Sequence, residues 1–194
     1  WSWGRFSTWM EQRIIAKELA RYNWRPDDVL LDIPCGTGIL GRTLKNFPFK
    51  ILASDISPEM MELAREEYPT DRLIDCVQAD ITKTDFARSS FACIVVAGFM
   101  HRVPLEIKRA TLKEIYEISK NIVIVTCSID SPLQRIKRLA LALFKGNNFS
   151  APCPMKFNTL ISEFQAVGFE VVRSFMVVPF FSSDTVFILE KRSH

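Results

Sequence analysis

The chain has 194 residues, 48% hydrophobic and 24% charged, with a net charge of +3 at pH 7. That balance excludes a disordered or low-complexity chain, and the length suits one domain with room for a lid. The charge is too mild to mark a nucleic-acid binder, so no nucleic-acid partner is expected.

Uncharged runs such as 89–101 and 174–183 fall short of the roughly 20 apolar residues that a membrane-spanning helix needs. No signal peptide is visible at the start. The chain opens on Trp1 rather than Met, which fits a piece cut from a longer protein. Cys35, Cys76, Cys93, Cys127 and Cys153 form no C-x-x-C pair. Their odd number and apolar surroundings fit buried thiols in a reducing, cytoplasmic setting, not a disulfide framework or a zinc site.

Short β-branched runs alternate with helical patterns, the signature of a parallel sheet wrapped by helices. Residues 28–33 read as the first strand and 38–46 as a helix. Residues 50–55 form the second strand. Ser57, Pro58 and Glu59 then supply an N-cap, a first-turn proline and a first-turn acid, starting a helix that runs to about Tyr68. Strands follow at 73–78 and 91–97, the latter apolar throughout, as a strand buried on both faces should be. A helix spans 104–119 and a fifth strand 121–127. Residues 132–145 and 156–167 read as helices, the second closed by Gly168. The last two strands, 169–178 and 185–190, have no room for a helix between them and should pair antiparallel.

The segment L-L-D-I-P-C-G-T-G-I-L-G, residues 30–41, carries the most information. A strand runs into a glycine turn that opens toward a helix, and backbone can approach a ligand closely there. Gly36, Gly38 and Gly41 satisfy G-x-G-x-x-G. Asp55, 19 residues beyond Gly36, ends the next strand, where an acid can hold the hydroxyls of a ribose. A dinucleotide and a sulfonium nucleoside both offer that ribose. Asp32 separates them: its charge beside the glycines would repel a pyrophosphate and attract a sulfonium with an amino-acid tail. Asp80, after the third strand, can meet an adenine amine, with Ile81 against the ring.

At this point the chain resembles the class I S-adenosylmethionine-dependent methyltransferases, over roughly 28–190. L-L-D-I-P-C-G-T-G is similar to that family's first motif, S-D-I-S-P-E-M to its acidic second-strand motif, and Q-A-D-I to its third-strand motif. The resemblance implies a Rossmann-like α/β fold: a seven-stranded sheet of order 3-2-1-4-5-7-6, its last strand antiparallel, with helices on both faces. It implies S-adenosylmethionine as cofactor and S-adenosylhomocysteine as product. Asp32, Pro34, Gly36 and Gly38 would cradle the methionine part, Asp55 the ribose and Ile56 the adenine face. Asp80 and Ile81 would frame the adenine edge, and Ala97 and Gly98 would lie under the sulfonium. Residues 1–194 are then one methyltransferase domain, with a helical cap at 1–25 and a helical insertion or lid at 132–160.

A nicotinamide-dependent oxidoreductase is the rival, since Tyr116 and Lys120 spell Y-x-x-x-K, although in the helix after the fourth strand instead of the fifth. A cofactor-binding regulatory or scaffold domain without catalysis is the other alternative. For a methyltransferase the loop 98–104 faces the reacting methyl. His101 is its candidate general base, with a pKa near neutral, or else holds the loop by a hydrogen bond. The acceptor is expected to be a small or lipid-like molecule methylated at oxygen or carbon. Trp1, Trp3 and Trp9 suggest an aromatic cover over it, and that segment resembles the one preceding the core in quinone-biosynthesis methyltransferases. Arg135, Lys137, Arg138 and Lys145 give 133–145 a basic amphipathic face, read as an ordinary surface helix or as a peripheral membrane contact.

Overall fold

A computed structural model describes residues 3–130, 153–179 and 182–192. The first element is helix α1 (Trp3–Leu19). Strand β1 (Val29–Asp32), short helix α2 (Gly41–Leu44), β2 (Lys50–Asp55), α3 (Pro58–Arg65), β3 (Leu73–Gln78) and β4 (Phe91–Val96) follow. Then come a 3-10 turn (Met100–Arg102), α4 (Leu105–Ile118), β5 (Ser119–Ser128), α5 (Phe157–Val167), β6 (Phe169–Met176) and β7 (Asp184–Lys191).

The strands form one seven-stranded sheet of order β3-β2-β1-β4-β5-β7-β6, as expected. Only β7 runs against the others, pairing antiparallel with both β5 and β6. Side chains alternate across the sheet, so each strand feeds two cores. Leu30, Ile51 and Cys93 pack with Ile15 and Leu19 of α1, Leu44 of α2 and Ala64 of α3. Leu31, Ile94 and Val123 pack on the opposite face with Leu112 and Ile115 of α4 and Leu160 and Phe164 of α5. Each large apolar side chain buried this way contributes about 1.5–3 kcal/mol.

Several expectations shift. The helix expected at 38–46 shrinks to the four residues of α2, because Gly38 sits at φ +74°, outside helical backbone. Helix α3 stops at Arg65 and the chain turns, freeing Tyr68 to reach back to the end of β1. Strand β5 extends to Ser128, since β7 pairs with it along its whole outer half. Gly168 caps α5 in the left-handed region at φ +110°, as its position predicted. Of the helical insertion expected at 132–160, residues 132–152 lie outside the described residues, and 153–156 are not helical.

Helix α1 is fastened to the hairpin at the far end of the chain. Glu18, 1% exposed, accepts from Arg173 Nε at 2.6 Å, and Arg173 also donates to the Tyr22 hydroxyl at 3.0 Å. That hydroxyl donates in turn to Glu190 at 2.9 Å. The exposed side of α1 carries Trp3, Phe6 and Trp9 in a ladder with centroids 5.9 Å apart, and Arg13 lies over the Trp9 ring. Among the described residues no helix is long and apolar enough to cross a membrane.

Candidate active site

The site is built at the carboxyl ends of the parallel strands. After Asp32 the chain passes a cis Ile33–Pro34 bond into the glycine turn. Gly36 and Gly38 both have positive φ, but they serve different ends. A Cβ on Gly38 would meet the backbone of Ala64 at 2.8 Å, and one on Gly41 the Glu67 carbonyl at 2.6 Å. These two glycines let α3 close on the turn. A Cβ on Gly36 would meet nothing within 4 Å, and the same holds for Gly98 after β4. Gly36 and Gly98 therefore present bare backbone to open space at the ends of adjacent strands.

Asp55 organises that space. One carboxylate oxygen accepts from Gly36 N–H at 2.8 Å and the other from Ser57 N–H at 3.0 Å. A carboxylate oxygen has lone pairs to spare, so Asp55 fixes the turn and can still accept from a diol. Ile56, 61% exposed, is displayed beside it. Asp80 is exposed at the end of β3, where the backbone N–H and hydroxyl of Thr82 hold its carboxyl below the usual range. Ile81 is turned inward among core residues.

Asp32 is 2% exposed and lies beneath the turn. Burial pushes its carboxyl up to about 7, opposed by the hydrogen bond from Tyr68 at 2.5 Å, with Asp55 adding repulsion. Tyr68 is a site residue that the sequence did not reveal, since the pattern placed it at a helix end.

On the other side, Ala97 leads into Gly98, whose N–H donates to Thr126 Oγ1 of β5 at 2.8 Å. His101 sits in the 3-10 turn. Its carbonyl accepts from Cys153 N–H at 2.7 Å, while Arg102 Nε donates to its ring Nε2 at 3.4 Å. Burial lowers the pKa of the imidazole, Asp184 opposes this, and Arg102 and Lys108 reinforce it. The lowered pKa favours the neutral imidazole.

Tyr116 and Lys120 lie elsewhere. Tyr116 packs edge-on against Phe169 with Lys191 over its ring, and Lys120 is the second residue of β5. Both stand at the amino ends of the strands, whereas the glycine turn lies at their carboxyl ends, so the Y-x-x-x-K pair does not meet it.

Residues 30–121 match the family model described as a methyltransferase domain. Over that stretch, a little under half its length, the chain is similar to methyltransferase domains. Over 90 residues it is 34% identical to a demethylmenaquinone methyltransferase of Chlorobaculum parvum, covering 45% of this chain and 36% of that protein. Over 122 residues it is 22% identical to an uncharacterized methyltransferase of Bacillus subtilis, covering 62% and 52%. The matches thus span between a third and about half the length of these curated relatives. In fold, the chain superposes on magnesium protoporphyrin IX methyltransferase from Synechocystis, solved with S-adenosylhomocysteine, at a TM-score of 0.80 and 15% identity. That comparison covers 97% of this chain and 86% of the other.

Proposed function

We propose that this chain binds S-adenosylmethionine and catalyses methyl transfer to a small-molecule acceptor at oxygen or carbon. The observation that carries this reading is the bare backbone of Gly36 and Gly98 facing open space on two adjacent strand ends, with Asp55 tied to the first. A side chain at either glycine would occupy the space such a cofactor needs. In this reading Asp55 receives the ribose hydroxyls and Ile56 covers the adenine, whose edge lies toward Asp80 and Ile81. Asp32, Pro34, Gly36 and Gly38 form the methionine end, and Ala97 and Gly98 the floor beneath the sulfur. The cofactor supplies an electrophilic methyl group on a sulfonium. The chain's task is to align the acceptor with it and exclude water. His101, neutral in its turn, is the residue we assign to take a proton from an acceptor that must lose one.

The basic amphipathic pattern of 133–145 supports a narrower second reading, a lipid-like acceptor reached by peripheral contact with a membrane. These residues lie outside the described ones.

Calorimetric titration with S-adenosylmethionine, S-adenosylhomocysteine and NADH is the test. Micromolar binding of the two sulfur compounds without NADH is expected. Asp55→Ala should weaken it by about 1–3 kcal/mol, the value of hydrogen bonds to a charged group. Binding of NADH alone, or unchanged affinity in a folded Asp55→Ala protein, would reject the assignment.

A further inference from the structure

Three side chains meet above the ends of β4, β5 and β7 that the cofactor cradle does not use. Glu11 comes from α1, Thr126 from β5 and Asp184 from β7. Their meeting follows from topology. Because β7 runs against the parallel strands, it delivers its first residue, Asp184, to the rim where β5 delivers its last, Ser128, and the two are paired in register. Helix α1 crosses to this rim because Glu18 and Tyr22 anchor its other end on Arg173.

The hydrogen bonding leaves one atom over. Thr126 is buried, and its Oγ accepts from Gly98 N–H, so its hydroxyl proton is free to serve Glu11. Asp184 accepts from the hydroxyls of Ser128 and Ser182. Glu11 Oε1 is shut from solvent and has no hydrogen-bond partner among the described residues. Buried polar atoms are nearly always paired, and an unpaired one carries the full cost of its desolvation. A carboxyl oxygen can be satisfied by a hydroxyl or an ammonium group, and it repels another carboxylate. Burial and the nearby Asp184 push the Glu11 carboxyl up to about 7, with the Thr126 hydroxyl opposing them, so the site disfavours further negative charge.

Resting on the methyl-transfer reading, we propose that Glu11 Oε1 is the docking point for the head group of the methyl acceptor. It takes a hydrogen bond from a hydroxyl or a protonated amine. Glu11 and Asp184 together select against an acceptor that presents a carboxylate at this point.

The test is ligand-observed NMR and calorimetry on the full chain with benzylamine, benzyl alcohol and benzoate, which share a ring and differ in head group. Each is titrated with and without saturating S-adenosylhomocysteine. Benzylamine and benzyl alcohol should bind at least tenfold more tightly than benzoate. Glu11→Gln should weaken benzylamine at least fivefold, leave S-adenosylhomocysteine affinity within twofold, and keep the melting temperature at or above that of the parent. Asp184→Asn should weaken benzylamine by a smaller factor and serves if the first variant misfolds. Equal or tighter binding of benzoate, no binding of any probe, or benzylamine affinity indifferent to both substitutions would overturn the proposal. A loss of S-adenosylhomocysteine affinity in Glu11→Gln also overturns it, since Glu11 then faces the cofactor. Failure of the parent chain to bind S-adenosylhomocysteine sinks the methyl-transfer reading instead, and the probes alone still rank the head groups.

Discussion

The two halves of the sheet build their parts of the site by different rules. On the β1–β3 side each strand ends in residues we assign to the cofactor: Asp32 and the glycine turn, Asp55 and Ile56, Asp80 and Ile81. On the β4–β5–β7 side Gly98, Thr126 and Asp184 come from three strands, and Glu11 from a helix that precedes them all. A ligand cradle made of strand ends is written locally in the chain. A pocket made by topology is written nowhere in particular.

The sharpest way to break this contrast is to exchange the roles of the glycines. Gly38→Ala should cost about 3–5 kcal/mol in urea unfolding, combining positive-φ strain with a clash against backbone that cannot yield. Gly36→Ala should cost only the backbone part, about 1–2 kcal/mol, yet abolish cofactor binding. Equal stability losses would show that the turn is all packing and no cradle.

A smaller effect separates the two halves by pH. Burial lets the folded chain hold the Asp32 proton up to about 7, whereas an unfolded aspartate releases it near its ordinary value of 3.8. The native state therefore binds more protons in between, and stability falls as pH rises from about 4 through 7. Asp32→Asn keeps an acceptor for Tyr68 and removes the titration. It should gain about 1–3 kcal/mol on the parent at pH 8 and much less at pH 5. Glu11 titrates in the same window from the other half, so the double variant Asp32→Asn with Glu11→Gln should lose more of this fall in guanidinium unfolding than either single variant.

The smallest structural effect is at His101. Alanine retains the carbonyl that Cys153 uses and loses the long contact to Arg102 together with the partly buried ring. His101→Ala should cost less than about 1 kcal/mol of stability. Once an acceptor is found, a fall in turnover of roughly 10²–10⁴ would mark a proton-transfer role, and near-normal turnover would leave His101 a loop residue.

The same contrast explains what was legible. Strands 50–55 and 73–78 were read at their observed bounds, and the sheet order followed from the motifs and the terminal hairpin. The helix over 38–46 misled because its apolar spacing is helical while Gly38 is not. Asp32 was read as a charge facing a ligand. Burial, which sequence does not show, makes it an acid that shares a proton with its surroundings near neutrality. The Y-x-x-x-K match failed because spacing says nothing about which edge of a sheet a helix end reaches. For Glu11, Thr126 and Asp184 no local signal exists, since their proximity depends on the reversed direction of β7 and the placement of α1.

The anchoring of α1 on Arg173 has a consequence for how the chain comes into being. Glu18 is made 155 residues before its partner. As the chain is synthesised from its N-terminus, Ile15 and Leu19 can pack on β1, α2 and α3 early, but the Glu18 carboxylate must wait for Arg173 until β6 emerges. Helix α1 is thus fixed in place only late, and the β4–β5–β7 side of the site closes only after β6 and β7 have been made.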